Sequence, residues 1–177
     1  GALSINFNAL GVYIRPGEAA GQAAKVSIEP QIPFFELNAK VQTKSRAGRY
    51  LLVGSHPRAD GRQEVKARGW IGKNEKMKVI WRKIDNPPIY AGETMKDLLR
   101  RRGIEVTGKV RIGKVPKDAI AFHTFVSRRL SEVLDDLNKY SNNFVAEMIV
   151  KTIGAETMEG PGSWKTGTES IRRFLKR

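Results

Sequence analysis

The chain has 177 residues, 40% of them hydrophobic and 28% charged, enough for one packed domain or two small ones and too apolar for an intrinsically disordered segment. It holds no cysteine, which removes disulfides, thiolate chemistry and cysteine-ligated zinc. Thirty-two Lys and Arg against 18 Asp and Glu give a net charge of +14, a field that attracts polyanions such as nucleic acid or anionic wall and envelope polymers.

The apolar runs, such as Ala119-Ile120-Ala121-Phe122, are far too short to span a membrane. The opening Gly1-Ala2-Leu3-Ser4 carries neither Met nor a signal peptide and reads as a processed or excised chain. His56 and His123 lie far apart with no ligand-like spacing, so neither a metal nor a cofactor is expected.

Residues up to Trp81 read as short strands separated by Gly and Pro. Leu3–Phe7 alternates apolar and polar, Gly11–Arg15 follows, and Pro16-Gly17 ends it. Val26–Ile28, Phe35–Val41, Arg49–Val53, Glu64–Ile71 and Met77–Trp81 complete the set, and this spacing predicts a small, mainly antiparallel β unit. Asp85-Asn86-Pro87-Pro88 breaks the pattern. A helix is expected over Tyr90–Arg102, with Met95, Leu98 and Leu99 on one face and Gly103 as its stop. Ile104–Val106 and Val110–Ile112 read as two more strands.

Beyond Pro116 the period becomes helical. Ser127 is placed to cap a helix carrying Leu130, Val133, Leu134 and Leu137. Asn138–Asn143 interrupts it. A second helix carries Val145, Met148, Ile149 and Ile153 and closes at Gly154; a third carries Trp164, Ile171, Phe174 and Leu175 on its inner face. The fold class is α+β, with a β-rich unit at 1–118 and a helical segment at 119–177 that closes no domain of its own.

One short pattern carries chemistry. Ser141-Asn142-Asn143 lies in a polar turn between two amphipathic helices, a place that can present side chains rigidly. Ser-x-Asn alone is common, and it admits a plain reading in which Asn143 or Ser141 caps the next helix.

The stretch Leu134-Asp135-Asp136-Leu137-Asn138-Lys139-Tyr140-Ser141-Asn142-Asn143-Phe144-Val145-Ala146-Glu147 resembles the second active-site motif of the class C low-molecular-mass penicillin-binding proteins, which are D-alanyl-D-alanine carboxypeptidases and endopeptidases. The resemblance continues through Gly162-Ser163-Trp164, Gly167 and Ile171–Leu175, through Pro87–Gly92, Leu98-Leu99, Gly103-Ile104 and Gly108, and into Gly1–Asn8. It implies that 1–118 is a β-rich accessory region inserted in the catalytic domain. Residues 119–177 would then be the helical part of an incomplete transpeptidase-like, serine β-lactamase-like domain. It also implies a location outside the cytoplasm, peptidoglycan peptides ending in D-Ala-D-Ala as substrate, β-lactams as ligands, and the rest of the catalytic domain as a partner.

Such enzymes use Ser-x-x-Lys, Ser-x-Asn and Lys-Thr-Gly. Every serine here fails the first pattern at its fourth position, so the nucleophile is missing and the chain alone is expected to be inactive. By resemblance, Ser141 passes a proton between two lysines toward the departing D-alanine, Asn143 binds the peptide backbone and steadies the catalytic lysine, and Asn142 points away. Lys165-Thr166-Gly167 matches the third motif letter for letter. It stands only 24 positions after Ser141 within a helical pattern, where Lys165 and Glu169 would be neighbours on a solvated face.

A different reading remains open: a basic module that binds nucleic acid or anionic wall polymer without catalysis, using the +14 charge with Trp70, Trp81 and Tyr50. No known nucleic-acid motif is present, so a specific nucleic acid is not expected; anionic envelope polymer is.

Overall fold

The structure is a computed structural model that describes residues 3–121 and 123–176. Gly1 and Ala2 of the opening resemblance, Phe122 of the apolar run and Arg177 lie outside the described residues. The chain divides into two compact units, one ending at Lys114 and the other beginning at Val115, a few residues before the break expected after Asp118.

The first unit holds β1 (Ala9–Arg15), β2 (Lys25–Glu29), β3 (Phe35–Lys44), β4 (Arg49–Pro57), β5 (Gln63–Gly72), β6 (Lys78–Lys83) and a helix, α1 (Pro87–Arg101). They form two three-stranded sheets, ordered β2-β1-β6 and β3-β5-β4. The first sheet is antiparallel throughout; in the second, β3 runs parallel to β5 over ten Cα pairs while β4 runs antiparallel to it. Period-2 alternation explains the core. Leu10, Val12 and Ile14 of β1 join Val41, Val53, Val65, Ala67 and Ile71 of the other sheet in one buried cluster.

Gln63 is the buried polar link between the sheets, only 1% exposed. Its amide donates to the Lys83 carbonyl at 2.9 Å and to Ser55 Oγ, and its Oε1 accepts from the Asp85 N–H at 3.1 Å. Both amide protons and the carbonyl are thus used, which burial requires.

The strand expected over Leu3–Phe7 is absent. Asn6, Phe7 and Asn8 instead take φ of 51°, 53° and 52° in a short turn, and β1 starts at Ala9. The asparagines drive this: Asn6 Nδ2 donates to the Ala9 carbonyl at 3.0 Å and Asn8 Nδ2 to Ser4 Oγ at 3.2 Å, local bonds that compete with a ladder.

Helix α1 starts earlier than its apolar stripe, because Pro87 and Pro88 occupy first-turn positions whose N–H groups would have no helical partner. Fully buried Tyr90 packs its ring 5.7 Å from both Phe34 and Phe35, which docks the helix on the sheets. The two strands expected at Ile104–Val106 and Val110–Ile112 do not form. The segment turns back on α1 instead: Lys96 Nζ donates to the Gly108 carbonyl at 2.7 Å, and a Cβ on Gly92 would lie 2.4 Å from Val110 Cγ1. Absence of a side chain at Gly92 is what lets Val110 seat there.

The second unit holds α2 (Leu130–Tyr140), α3 (Asn143–Thr157) and α4 (Trp164–Leu175). Ser127 does not cap α2; the helix begins after Arg129, whose N–H is taken by Glu132 Oε2 at 3.1 Å. Gly154 does not end α3 but lies inside it. A Cβ on Gly154 would meet Gly167 N at 2.6 Å, and one on Gly167 would meet the Val150 carbonyl oxygen at 2.1 Å. The two glycines therefore bring the backbones of α3 and α4 into direct contact.

The face of α4 expected inward is turned to α3 but is only partly covered. Gly167 is buried against α3, Ser170 Oγ lies 2.6 Å from Thr157 Oγ1, and Ile171 and Phe174 face a hollow shared with Ile153 of α3. Trp164, Phe174 and Leu175, expected inward, are 52%, 72% and 76% exposed, and only Ile171 is half-buried. Among the described residues, α2 buries no side chain fully either.

Two outcomes follow from these contacts. Asp97 is 4% exposed and accepts from Arg100 Nη2 at 2.8 Å and Arg101 Nε at 2.7 Å; Arg100 foremost, with Arg101, holds its carboxyl below the usual 3.8. Asp97→Asn should cost about 1–2 kcal/mol at neutral pH, the scale of a charged hydrogen bond with solvated partners. A lowered carboxylate stabilises fully above its ordinary value and loses that contribution as pH falls through the folded value. The melting difference between the two proteins should therefore be constant near neutrality and close below about pH 4. For the helical unit, Gly167→Ala should destabilise by about 1–3 kcal/mol through overpacking, although Ala is the better helix former. Denaturant unfolding of the whole chain, with Lys165→Ala as a control, reads both.

Candidate functional site

Helices α2 and α3 are joined with almost no linker. Ser141 ends α2 with φ 50° and ψ 46°, a left-handed conformation that a residue with a Cβ adopts at a cost of about 1 kcal/mol. Its N–H donates to the Leu137 carbonyl at 2.8 Å, closing the last turn. The next residue, Asn142, already caps α3: its Oδ1 accepts from the Val145 N–H at 3.2 Å, and its carbonyl accepts from the Ala146 N–H at 3.0 Å. Asn143 is the first residue of α3.

The three side chains of Ser141-Asn142-Asn143 are therefore in different states. Asn142 is half-buried and committed to the cap. Ser141 and Asn143 on either side of it are exposed, and neither side chain makes a hydrogen bond to another described residue. Sequence reasoning assigned the cap to Asn143 or Ser141; the residue that takes it is Asn142. Its signal was legible, since Asn is a preferred cap and stands three residues before Val145, the first member of the apolar stripe.

What remains free at the turn is one hydroxyl, both donor and acceptor, and one carboxamide with two donors and an acceptor. That set can relay a proton and hold a peptide backbone; it includes no group that is nucleophilic by itself. Tyr140 beside it is 70% exposed, with Lys139 Nζ 6.0 Å from its ring centre. One turn into α3, Lys151 hydrogen-bonds Glu147 and holds that carboxyl below the usual carboxylate value. A hollow between α3 and α4 is lined by Ile153, Met158, Ile171 and Phe174 and includes neither Ser141 nor Asn143. The expectation of a turn clamped between two packed helices holds on one side only: α3 is packed, against α4, and α2 is not.

Lys165-Thr166-Gly167 forms the first turn of α4. Lys165 is exposed. Thr166 and Ser163 cap the helix reciprocally, with Thr166 N–H to Ser163 Oγ at 3.1 Å and Ser163 N–H to Thr166 Oγ1 at 2.9 Å, and Gly167 meets α3. Glu169 pairs with Arg172 at 2.6 Å and Arg173 at 3.2 Å, which takes it from the Lys165 pairing that helical spacing alone predicted.

Comparisons with known proteins bear on all 177 positions. The chain is 32% identical over 162 residues to a D-alanyl-D-alanine carboxypeptidase from an Actinomadura species, covering 89% of this chain and 29% of that protein. It is 22% identical over 176 residues to the D-alanyl-D-alanine carboxypeptidase DacB of Haemophilus influenzae, covering 99% of this chain and 36% of that one. The chain thus spans about a third of the length of these curated relatives. The crystal structure of penicillin binding protein 4 (dacB) from Haemophilus influenzae matches its fold with a TM-score of 0.77 at 22% identity, over 99% of this chain and 38% of that chain. The same protein complexed with a novel β-lactam matches with a TM-score of 0.75, over 99% and 40%. The model of the D-Ala-D-Ala carboxypeptidase 3 (S13) family matches residues 1–177, and the chain belongs to that family.

Proposed function

We propose that this chain is part of a serine D-alanyl-D-alanine carboxypeptidase or endopeptidase that cleaves peptidoglycan stem peptides through an acyl-enzyme and is acylated by β-lactams. Ser141 and Asn143 supply its second active-site motif. The observation that carries the reading is the state of the turn: two polar side chains left free on either side of an asparagine that the helix cap has consumed. The left-handed Ser141 adds to it, since strained backbone concentrates where a side chain must be held for use.

In this reading the nucleophilic serine and its activating lysine lie outside this sequence, which contains no Ser-x-x-Lys. The Ser141 hydroxyl receives a proton on one side and gives one on the other, toward the departing D-alanine nitrogen. The Asn143 carboxamide bonds the backbone of the bound peptide. Residues of the first unit are the accessory region, and those of the second contribute to the catalytic domain. The apolar side chains left open on the second unit, among them Phe125, Leu130, Phe174 and Leu175, are then covered by the remainder of that domain. The polymer it acts on places the protein outside the cytoplasm.

The test uses the longer protein that carries this chain. Ser141→Ala should slow its acylation by a fluorescent penicillin by about 10² to 10⁴, the span for a lost proton-transfer group. Asn143→Ala should do comparable damage through lost positioning. Asn142→Ala should cost about 1 kcal/mol of stability by removing the cap. Lys165→Ala should change stability by no more than about 0.5 kcal/mol and leave the rate alone. Normal acylation in Ser141→Ala sinks the proposed role, and an inactive Lys165→Ala with a normal melting curve makes Lys165 part of the third motif. The 177-residue chain by itself should release no D-alanine from a D-Ala-D-Ala peptide.

A further inference from the structure

The chain carries +14 in all, and the basic residues of the β unit are not spread evenly over its surface. On the β3-β5-β4 sheet, the residues facing away from the core form rows set by the register: Lys40 beside Arg68 beside Leu52, then Gln42 beside Trp70 beside Tyr50. Lys44 follows on β3, four residues beyond Lys40 and so about 13 Å along the strand. Arg46 in the next loop stacks its guanidinium 3.9 Å from the Trp70 ring centre, and Lys44 Nζ lies 5.4 Å from it. Among the described residues, no carboxylate pairs with Lys40, Lys44, Arg46 or Arg68. Glu36 and Glu64 sit at the other end of this face and are taken by Arg58 at 2.7 Å and Lys66 at 3.0 Å; Glu75, beside Gly72 at the near end, is taken by the Gly48 N–H at 3.0 Å and Arg49 at 3.6 Å.

Four unpaired cations therefore surround an apolar patch in which Tyr50 and Leu52 are 57% and 55% exposed. Positive charge fits a polyanion, and the patch fits the C–H face of a sugar ring. The alternative, single-stranded nucleic acid, requires aromatic faces open for base stacking. Trp70 already has Arg46 and Lys44 against its ring, which leaves Tyr50 alone as a platform.

We propose that the outer face of the β3-β5-β4 sheet is a second binding surface for peptidoglycan strands, with Lys40, Lys44, Arg46 and Arg68 on the carboxylates of the peptide stems and Tyr50 and Leu52 against the sugars. The identity of the glycan rests on the family reading above; the anionic chemistry rests on the face itself. Such a surface keeps the protein on an insoluble polymer between cleavage events, and it does not take part in them.

Co-sedimentation of the whole chain with purified insoluble peptidoglycan tests this without reading catalysis. The double variant Lys40→Glu, Arg68→Glu should weaken binding by roughly tenfold or more at low salt, where exposed charges are least screened. Both side chains are exposed and unpaired, so its melting curve should stay near that of the parent chain. Tyr50→Ala should weaken binding as well. The double variant Lys109→Glu, Lys114→Glu changes net charge equally on exposed positions away from the sheet and should bind as the parent does. Equal loss in both double variants would mean that net charge alone attracts the polymer and would overturn the proposal. So would undiminished binding to peptidoglycan whose carboxyls have been amidated, or tighter binding to a single-stranded oligonucleotide. The longer protein should show the same loss in the Lys40→Glu, Arg68→Glu variant; no change there would mean that the face is covered and would overturn the proposal. Failure of the carboxypeptidase reading would show separately, as no β-lactam acylation of the unaltered longer protein with sedimentation intact.

Discussion

The second unit depends on one close approach. Gly154 and Gly167 remove the side chains that would hold α3 and α4 apart, and the space each leaves is filled by the other helix's backbone. A helix pair joined through glycines gains dispersion contacts along both backbones and buries few large side chains. That explains why its large apolar residues remain open. The same contact anchors α3 from Val150 to Thr157, and Asn143 stands at the other end of that helix; α2, across the turn, buries no side chain fully among the described residues. In Lys165-Thr166-Gly167, the threonine serves a helix cap and the glycine serves the helix contact.

The first unit is organised differently. Its sheets meet through a conventional apolar core, and the single buried carboxamide of Gln63 ties them at one end. A carboxamide with all its partners in place fixes the relative position of β5, β4 and the end of β6 more sharply than packing alone, because any slip would leave a buried donor unpaired. Rows of outward residues on the β3-β5-β4 sheet inherit that order. Gly69, with φ +119°, lies directly against the Tyr50 carbonyl, where a Cβ would come within 1.9 Å. Its neighbour Trp70 and the facing Tyr50 are set by a backbone contact that no other residue permits.

Much of this was legible in the sequence. The strands from Gly11 to Trp81 and the four helices were marked by period and by punctuation, and the structure lengthens most of them by a few residues. The failures have separate physical causes. At Leu3–Phe7 and Ile104–Ile112 the alternation was present, but a strand needs a partner ladder. Asparagine side chains and the Gly92 notch offered the backbone something nearer. Parallel pairing of β3 with β5 could not be read from alternation, which is the same for either direction. The facing of α4 was legible, but its burial was not: the close contact is made by Gly167, and the apolar residues on the same side line an open hollow instead of a closed core. At the candidate site, the type of residue was legible and the division of labour was not. Nothing in Ser-Asn-Asn says which asparagine is consumed by the cap; only the position at which α3 starts decides it.

That position has a consequence for how the turn works. The residue ending α2 and the residue capping α3 are consecutive, so no linker absorbs movement between the two helices. Ser141 is fixed by its N–H on Leu137 and by its left-handed backbone, and Asn143 by the first turn of α3, which Asn142 locks through Val145. The spacing between the two free side chains is thus a property of two helix ends placed back to back, not of contacts made by the side chains themselves. The backbone sets where the two Cβ atoms stand, and the exposed side chains keep their donors and acceptors available. A loop of the same composition with one more residue would release both constraints together. The strain at Ser141 is opposed by the cap that begins one residue later, where Asn142 accepts from Val145, so the local cost of the turn and the interaction that offsets it fall within five residues.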